Sequence, residues 1–233
     1  MVLKCLIGTS LVLLASSADA KWPASNIHVP RGLLIRNDTE AVMEVARSRQ
    51  FENHNQEGNY ESDLDVTRGM ANCNQECSEW CWATSATMAA SAFGGGSNCD
   101  AEEGKVAGHE FHTTCSSCSS RCNQAGSTAE IADGIKLLSG HSYSTGGALS
   151  QSRLDSALRH GPVVLGVRWT GGGGHAITVS GGSGGTYRGH DPEGYPINTN
   201  YGGLTTYRPP YARGYTGKWF ASVYTNSGAT LVV

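Results

Sequence analysis

The sequence has no run of basic residues, and after its first 20 positions it has no apolar stretch long enough to cross a bilayer. Its formal net charge is −3 at pH 7. Because binding to nucleic acid or to an anionic membrane depends on clustered Lys and Arg, we expect neither as a main partner. The sequence also lacks a repeat with a period of about 20 to 50 residues, which argues against a solenoid or propeller.

Residues 1–20 have the composition of a secretory signal peptide. Lys4 supplies the positive charge near the start, and residues 5–17 form an apolar stretch too short to span a bilayer. Residues 18–20, Ala-Asp-Ala, fit a signal-peptidase site. We therefore predict cleavage before Lys21 and a secreted protein, either extracellular or periplasmic. The alternative is a buried N-terminal helix.

The cysteine count indicates one unpaired thiol in the mature chain. Of the eight cysteines, Cys5 leaves with the signal peptide. Thiols pair in an oxidising compartment, so an odd number leaves one for an intermolecular bridge or a reactive role. Cys81 has the catalytic setting, because it lies between two tryptophans and six residues after Gln75. The other six are Cys73, Cys77, Cys99, Cys115, Cys118 and Cys122.

Six cysteines can pair in fifteen ways, and the sequence does not choose among them. Two Cys-x3-Cys segments suggest nested bridges and leave one further pair. The bridges predicted in this way are Cys73–Cys122, Cys77–Cys118 and Cys99–Cys115. An alternative is a zinc site with metal-like spacing, whose ligands would be His109, His112, Cys115 and Cys118. Secretion favours the disulfides.

Residues 21–69 are polar and are interpreted as an N-terminal extension, either a short pro-segment that is removed or an arm that stays attached. Within it, residues 39–51 are predicted to form a helix and residues 52–65 a linker. Asn37 begins a glycosylation acceptor pattern, which matters only in a host that glycosylates. Residues 70–233 are predicted to form the folded domain.

The folded domain changes from helical to β-rich patterns along the chain. Helices are predicted over residues 80–93, 127–140 and 151–160, the second with a capping box of Ser127 and Glu130. Short strands are predicted over residues 163–169, 175–180, 186–190, 204–207, 218–224 and 229–233. A helical half followed by a β-rich half predicts an α+β fold with a site in the cleft between the halves.

A thiol is a good nucleophile only as the thiolate, which a helix N-terminus and a nearby imidazolium both favour. Cys81 is predicted to lie in the first turn of a helix. Among the eight histidines, His175 is best placed, because four glycines at 171–174 lead into it and a strand begins there. The alternative for His175 is a structural role in the core.

A third residue should accept the N–H of the histidine and fix its orientation. We assign this role to Asp191, for which the alternative is a solvated aspartate in a turn. His190, its neighbour, is expected to point to the other face of the strand. Gln75 is predicted to donate its side-chain amide to the developing oxyanion, together with the backbone N–H of Cys81.

At these residues the chain resembles the papain-like cysteine peptidases. The spacing of Gln75 and Cys81-Trp82 matches the family's Gln, five residues, Cys-Trp pattern, and residues 174–176 match its Gly-His-Ala. The resemblance covers about residues 70–200. It implies a papain-like catalytic domain at 70–233, with Cys81 as nucleophile, His175 as base and acid, Asp191 as orienting residue and Gln75 as oxyanion donor.

Several departures from the plant and lysosomal enzymes point to a compact branch of the family. The chain resembles small bacterial effector and bacteriocin-processing peptidases. Only 94 positions separate Cys81 from His175, an aspartate replaces the usual asparagine, and no tryptophan follows Asp191 closely to shield it. The short N-terminal extension also differs from a full pro-domain.

We therefore expect a secreted, disulfide-stabilised cysteine peptidase that hydrolyses peptide bonds through a Cys81 thioester. We expect a protein or peptide substrate, a monomer, and neither a cofactor nor a metal ion. A transglutaminase-like acyl transfer would use the same residues. An inactive binding module is the other alternative, with its ligand on the tyrosine-rich C-terminal half. The tyrosines in question are Tyr201, Tyr207, Tyr211 and Tyr215, which we interpret as ordinary residues of the β-surface.

Overall fold

The computed structural model describes residues 64–65, 69–96, 98–212 and 214–225. Four predictions lie outside the described residues. They are the signal peptide at 1–20, the helix at 39–51, the glycosylation pattern at Asn37 and the strand at 229–233. The predicted linker also lies outside them, apart from its last two residues. No helix within the described ranges is long and apolar enough to cross a membrane.

Five helices form within the described part of the chain. They are α1 (Cys81–Ser91), α2 (Cys99–Glu110), α3 (Thr128–Ser139), α4 (Gln151–Leu158) and α5 (Tyr201–Thr205). The three predicted helices correspond to α1, α3 and α4. The predicted capping box is present at α3, where Ser127 Oγ accepts from Glu130 N at 3.3 Å and the Glu130 carboxylate accepts from Ser127 N.

The β-rich half is built around one antiparallel sheet. Its strands are β1 (Leu64–Asp65), β2 (Ser144–Gly147), β3 (Val163–Trp169), β4 (Gly174–Ser183), β5 (Thr186–Asp191), β6 (Tyr195–Asn200), β7 (Thr206–Tyr207) and β8 (Gly217–Tyr224). The order is β2-β8-β3-β4-β5-β6, with β1 paired to β4 and β7 paired to β8. The predicted α+β class, with an antiparallel C-terminal half, is confirmed.

The strand predicted over residues 204–207 is wrong in its first half. Residues 201–205 form α5, because the Asn200 side chain accepts a hydrogen bond from Gly203 N at 2.8 Å and caps a helix there. Only Thr206–Tyr207 continue as a strand. The cap shortens the strand and turns the chain back onto β8.

Helix α1 is buried along its whole length, all 11 residues included. Its Ala, Ser and Thr side chains are small, so α2, α3 and β4 can pack closely around it. Trp80 and Trp82 at its start have no exposed surface. Burial of this much apolar surface fixes the N-terminal end of α1 against both halves of the molecule.

Helix α2 has little periodic signal in the sequence. Its only buried apolar side chains are Val106 and Ala107, and it contains two glycines that suggest a turn. Those glycines instead allow the following loop to approach the helix. A Cβ at Gly104 would lie 2.3 Å from Cys115 O, and one at Gly108 would lie 2.5 Å from Thr113 O. Helix α2 is therefore stabilised by its contact with the following loop, rather than indicated by a local pattern of apolar residues.

Three disulfides fasten the helical half. They are Cys73–Cys99, Cys77–Cys118 and Cys115–Cys122. The predicted Cys77–Cys118 bridge is confirmed, whereas the predicted Cys73–Cys122 and Cys99–Cys115 bridges are wrong. The physical reason is that α2 begins at Cys99 beside Cys73, while the loop after α2 folds back so that Cys122 meets Cys115 only seven residues away.

Candidate active site

Cys81 is the first residue of α1 and the one free cysteine of the described residues, with 7 % of its surface exposed. Its neighbours anchor this end of the helix. Trp80 Nε1 donates to Cys122 O at 2.7 Å, and Trp82 Nε1 donates to Gln124 O at 3.0 Å. As the first residue of the helix, Cys81 lies at the positive end of the helix dipole, which favours the negative charge of a thiolate.

His175 and Asp191 form a buried pair, with His175 Nε2 2.7 Å from Asp191 Oδ1. His175 is the second residue of β4, and Asp191 is the last residue of the adjacent β5. His190 pairs with Thr178 across these strands, so the alternation of faces puts Asp191 on the same face as His175. His190 points to the other face, where its Nε2 lies 3.2 Å from Asn74 Oδ1.

The electrostatics of the pair favour an imidazolium beside a carboxylate. Burial lowers the pKa of His175, but the charges and hydrogen bonds of Asp191 and Cys81 outweigh it and raise that pKa well above its ordinary value. Burial raises the pKa of Asp191, but the charge and hydrogen bond of His175 help to bring it below its ordinary value. Because Asp191 holds Nε2, the other ring nitrogen, Nδ1, is left to face Cys81.

Gln75 lies at the seam between the two halves. Its backbone N donates to Pro192 O at 2.8 Å, which joins the loop before α1 to the turn after Asp191. Its side-chain Nε2 donates to Ser78 O at 3.2 Å. A primary amide has two hydrogens, so this contact uses one and leaves the other for a second acceptor.

The structure therefore joins His175 and Asp191 by a hydrogen bond, with Cys81 beside the imidazole, and puts Gln75 on the loop that leads to α1. The alternative zinc site loses half of its ligands, because Cys115 and Cys118 are each bonded to another cysteine. In the described part of the chain no cluster of three or more His, Cys, Asp or Glu side chains is arranged to hold a metal.

Comparison with known families agrees with this geometry. The family described as papain-like cysteine protease AvrRpt2 matches residues 63–212, which is more than half of the chain and includes all four predicted site residues. The chain belongs to this family. No curated protein sequence matches the chain. The resemblance to the papain-like peptidases is confirmed, and the protein is a cysteine peptidase whose substrate is a protein.

Three aromatic side chains of the peptidase surround the pair of His175 and Asp191. The Trp169 ring stacks on His175, with 5.8 Å between ring centroids. Tyr207 Oη and Tyr211 Oη donate to Asp191 Oδ2 at 2.6 and 2.9 Å. The interpretation of Tyr207 and Tyr211 as ordinary surface residues is therefore wrong, because both phenols are committed to a buried carboxylate.

The tryptophan beside the histidine comes from before it in the chain. Trp169 ends β3, and a hairpin returns the chain to β4, with Trp169 N donating to Gly173 O at 3.2 Å. Gly172 and Gly173 have φ of 94° and 83°, a backbone conformation that disfavours other residues. The glycine run that precedes His175 is thus required by the tight hairpin that stacks Trp169 on the imidazole.

A buried carboxyl supports the loop that carries Gln75 in the peptidase. Glu103 on α2 has no exposed surface, and its Oε2 accepts a hydrogen bond from Glu76 N at 3.1 Å. Burial raises the pKa of Glu103 from 4.5 to about 7, although the hydrogen bond from Glu76 N opposes the rise. Glu103 was not identifiable from sequence, because an acidic residue in a polar stretch is usually solvated.

We expect the stability of the peptidase to fall as the pH rises from about 4.5 to about 7 through Glu103. In this window the folded state holds the Glu103 proton while the unfolded state has released it, so raising the pH favours unfolding. A pKa change of this size corresponds to about 3 kcal/mol in the free energy of unfolding. Urea unfolding at a series of pH values would measure it, and Glu103→Gln should remove it.

Glu102→Gln is the matched control. Glu102 lies on the same helix, but its carboxylate forms an ion pair with the exposed Lys105. It should keep the pH dependence of the wild type. An identical pH dependence in Glu103→Gln and the wild type would show that Glu103 is not the titrating group.

Proposed function

We propose that the protein is a secreted peptidase that cleaves peptide bonds through a thioester on Cys81. The observation that carries the proposal is the buried free thiol at the start of α1, beside a histidine whose Nε2 is held by Asp191. The raised pKa of His175 supports an imidazolium beside the thiol in the resting state. Secretion is supported by three disulfides within one small domain and by the leader-like sequence.

In the first step the Cys81 thiolate attacks the carbonyl carbon of the scissile bond. The carbonyl electrons move to oxygen, where the Cys81 N–H and the Gln75 side-chain amide donate hydrogen bonds to the oxyanion. His175 gives its proton to the leaving amine as the C–N bond breaks. The products are a free amine, an acyl-thioester on Cys81 and a neutral His175.

In the second step neutral His175 takes a proton from water, and the hydroxide attacks the thioester carbonyl. The C–S bond breaks, the carboxylic acid product leaves, and the thiolate and imidazolium are restored. Asp191 accepts the Nε2–H bond throughout, so it fixes the ring and stabilises the cation without taking the proton. An amine that replaced water here would give acyl transfer instead of hydrolysis.

The product mixture tests this proposal. The mature protein is incubated with an unfolded protein substrate, with and without an excess of a primary amine, and the products are analysed by mass spectrometry. We expect new peptide termini in both cases. Dominant incorporation of the amine would contradict hydrolysis in favour of transfer, and the absence of both products would favour a binding module. Pretreatment with a thiol-alkylating reagent should abolish all products.

A further inference from the structure

The carboxylate of Asp191 accepts four hydrogen bonds within the described residues. Oδ1 accepts from His175 Nε2 at 2.7 Å and from Glu193 N at 2.9 Å. Oδ2 accepts from Tyr207 Oη at 2.6 Å and from Tyr211 Oη at 2.9 Å. A carboxylate has about four acceptor sites, so these donors use its full capacity. Asp191 has no exposed surface on which water could replace any of them.

We propose that Tyr207 and Tyr211 are positioning residues of the peptidase, which hold Asp191 as an anion and keep its Oδ1 on His175. This inference rests on the proposed function, because it requires Asp191 to orient His175 during catalysis. Neither phenol is proposed to contact the substrate. Both act through Asp191.

The need for two phenols follows from the reaction cycle. A buried carboxylate is costly unless it is paired and hydrogen-bonded. In the resting enzyme the imidazolium of His175 supplies the opposite charge. Once His175 has given its proton to the leaving amine, that charge is lost, and Asp191 becomes a buried anion beside a neutral ring. Tyr207 and Tyr211 still donate at that stage, so they stabilise the anion when its charged partner is absent.

The phenols are suited to this role because they stay protonated. Burial, together with the charge of Asp191 and the hydrogen bond to it, raises the pKa of both Tyr207 and Tyr211 far above the ordinary value. They therefore remain hydrogen-bond donors at neutral pH. An ionised phenolate beside Asp191 would repel the carboxylate.

The two tyrosines reach Asp191 from different places. Tyr207 belongs to β7, which is paired to β8, so the sheet fixes its position. Tyr211 lies beyond β7, where its ring contacts Tyr195 at 5.2 Å between centroids. Tyr211 Oη is also 3.2 Å from His175 Nε2, so it lies at the junction of the imidazole and the carboxylate. Two independent supports make the orientation of Asp191 resistant to rotation.

Six titratable groups lie around Asp191 and could contribute to the pH dependence. They are His175 on β4, Cys81 on α1, His190 on β5, Glu193 in the following turn, and the two phenols. Burial lowers the pKa of His190, only partly offset by the charge of Asp191, and the ring faces Asn74. His175 is therefore the group whose protonation should follow a change at Asp191.

The test compares Tyr207→Phe, Tyr211→Phe and the double variant with the wild type. Two readouts are measured from pH 3 to 9: kcat/KM for peptide hydrolysis and the rate of Cys81 alkylation by iodoacetamide. A lost hydrogen bond to a charged group should move the acid limb of both profiles upward by about one pH unit for a single variant. At a pH below this limb, kcat/KM of a single variant should be about 10-fold lower than that of the wild type at the same pH.

Tyr201→Phe is the matched control, because Tyr201 Oη donates to Leu149 O rather than to the active site. Its pH profiles should be those of the wild type. If Tyr207→Phe does not fold, the comparison of Tyr211→Phe with the wild type tests the proposal. Tyr211 is half-buried and lies outside the sheet, so this variant should fold. Unshifted acid limbs in the folded tyrosine variants would overturn the proposal.

Failure of the proposed function is distinguishable from failure of this inference. If the wild type neither hydrolyses peptides nor alkylates at Cys81, the proposed function fails before any variant is compared. If the wild type does both and the tyrosine variants keep its acid limbs, only the role of the tyrosines is contradicted.

Discussion

Replacement of Cys81 by alanine is expected to lower kcat/KM for peptide hydrolysis by at least about 10⁴-fold, because loss of a nucleophile removes the covalent route altogether. The fold should persist, since the change deletes one sulfur from a helix that is buried along its length. A fluorogenic peptide assay measures the loss, and a thermal unfolding curve checks the fold. Substrate binding should be retained.

His175→Ala is the matched variant for Cys81→Ala. When two residues act as one catalytic unit, removal of either lowers the activity of the enzyme to a similar extent. The losses of activity from the two substitutions therefore do not add. The double variant Cys81→Ala/His175→Ala should therefore be no less active than Cys81→Ala alone. Retention of more than about a tenth of the wild-type kcat/KM in folded Cys81→Ala would contradict the role of this thiol.

Removal of the Cys77–Cys118 disulfide, by the double variant Cys77→Ala/Cys118→Ala, is expected to lower the free energy of unfolding by about 4 kcal/mol. The bridge closes a segment of 41 residues, and the loss of its chain-entropy effect on the unfolded state gives this magnitude. Because Cys77 lies two residues after Gln75, kcat/KM should fall as well. Chemical denaturation and the peptide assay measure the two effects.

The matched control removes Cys115–Cys122 by Cys115→Ala/Cys122→Ala. That bridge closes only seven residues, so the same relation gives a loss of about 2 kcal/mol. Each double variant removes both thiols, so neither introduces a second reactive cysteine beside Cys81. Equal losses of stability in the two double variants would contradict the account based on loop length.

The central helix and the hairpin before His175 were predictable because their signals are local. Small residues at helical spacing followed by glycines predict α1, and Ser127 with Glu130 predicts the start of α3 through a capping box. The glycine run marks the position of His175 because a tight turn before a strand has few other solutions. These features depend on neighbours within a few residues.

Helix α2 and the disulfide pairing were not predictable for the opposite reason. Gly104 and Gly108 suggest a turn, yet each glycine provides space for the loop at residues 113–115. Cys99 lies beside Cys73 because α2 begins there. Their structure depends on which distant segments pack together, and local patterns do not contain that information.

The site was predictable in part. Alternation of strand faces, already available from sequence, separates Asp191 from His190 once the two strands pair. Tyr207 and Tyr211 were interpreted as ordinary residues of the β-surface, because their approach to Asp191 follows α5, whose last two residues were predicted to begin a strand. Trp169 was overlooked, since a shielding tryptophan was expected after Asp191 and the hairpin brings one from before His175.

The most direct test of the central claim is to find which residue an irreversible inhibitor modifies. The mature wild-type protein is treated with a peptide that carries a thiol-reactive group, digested, and mapped by mass spectrometry. The account predicts one adduct, on Cys81, with hydrolysis lost in proportion to its formation and with no adduct in His175→Ala on the same timescale. An unmodified Cys81, or a Cys81 found in a disulfide, would contradict it.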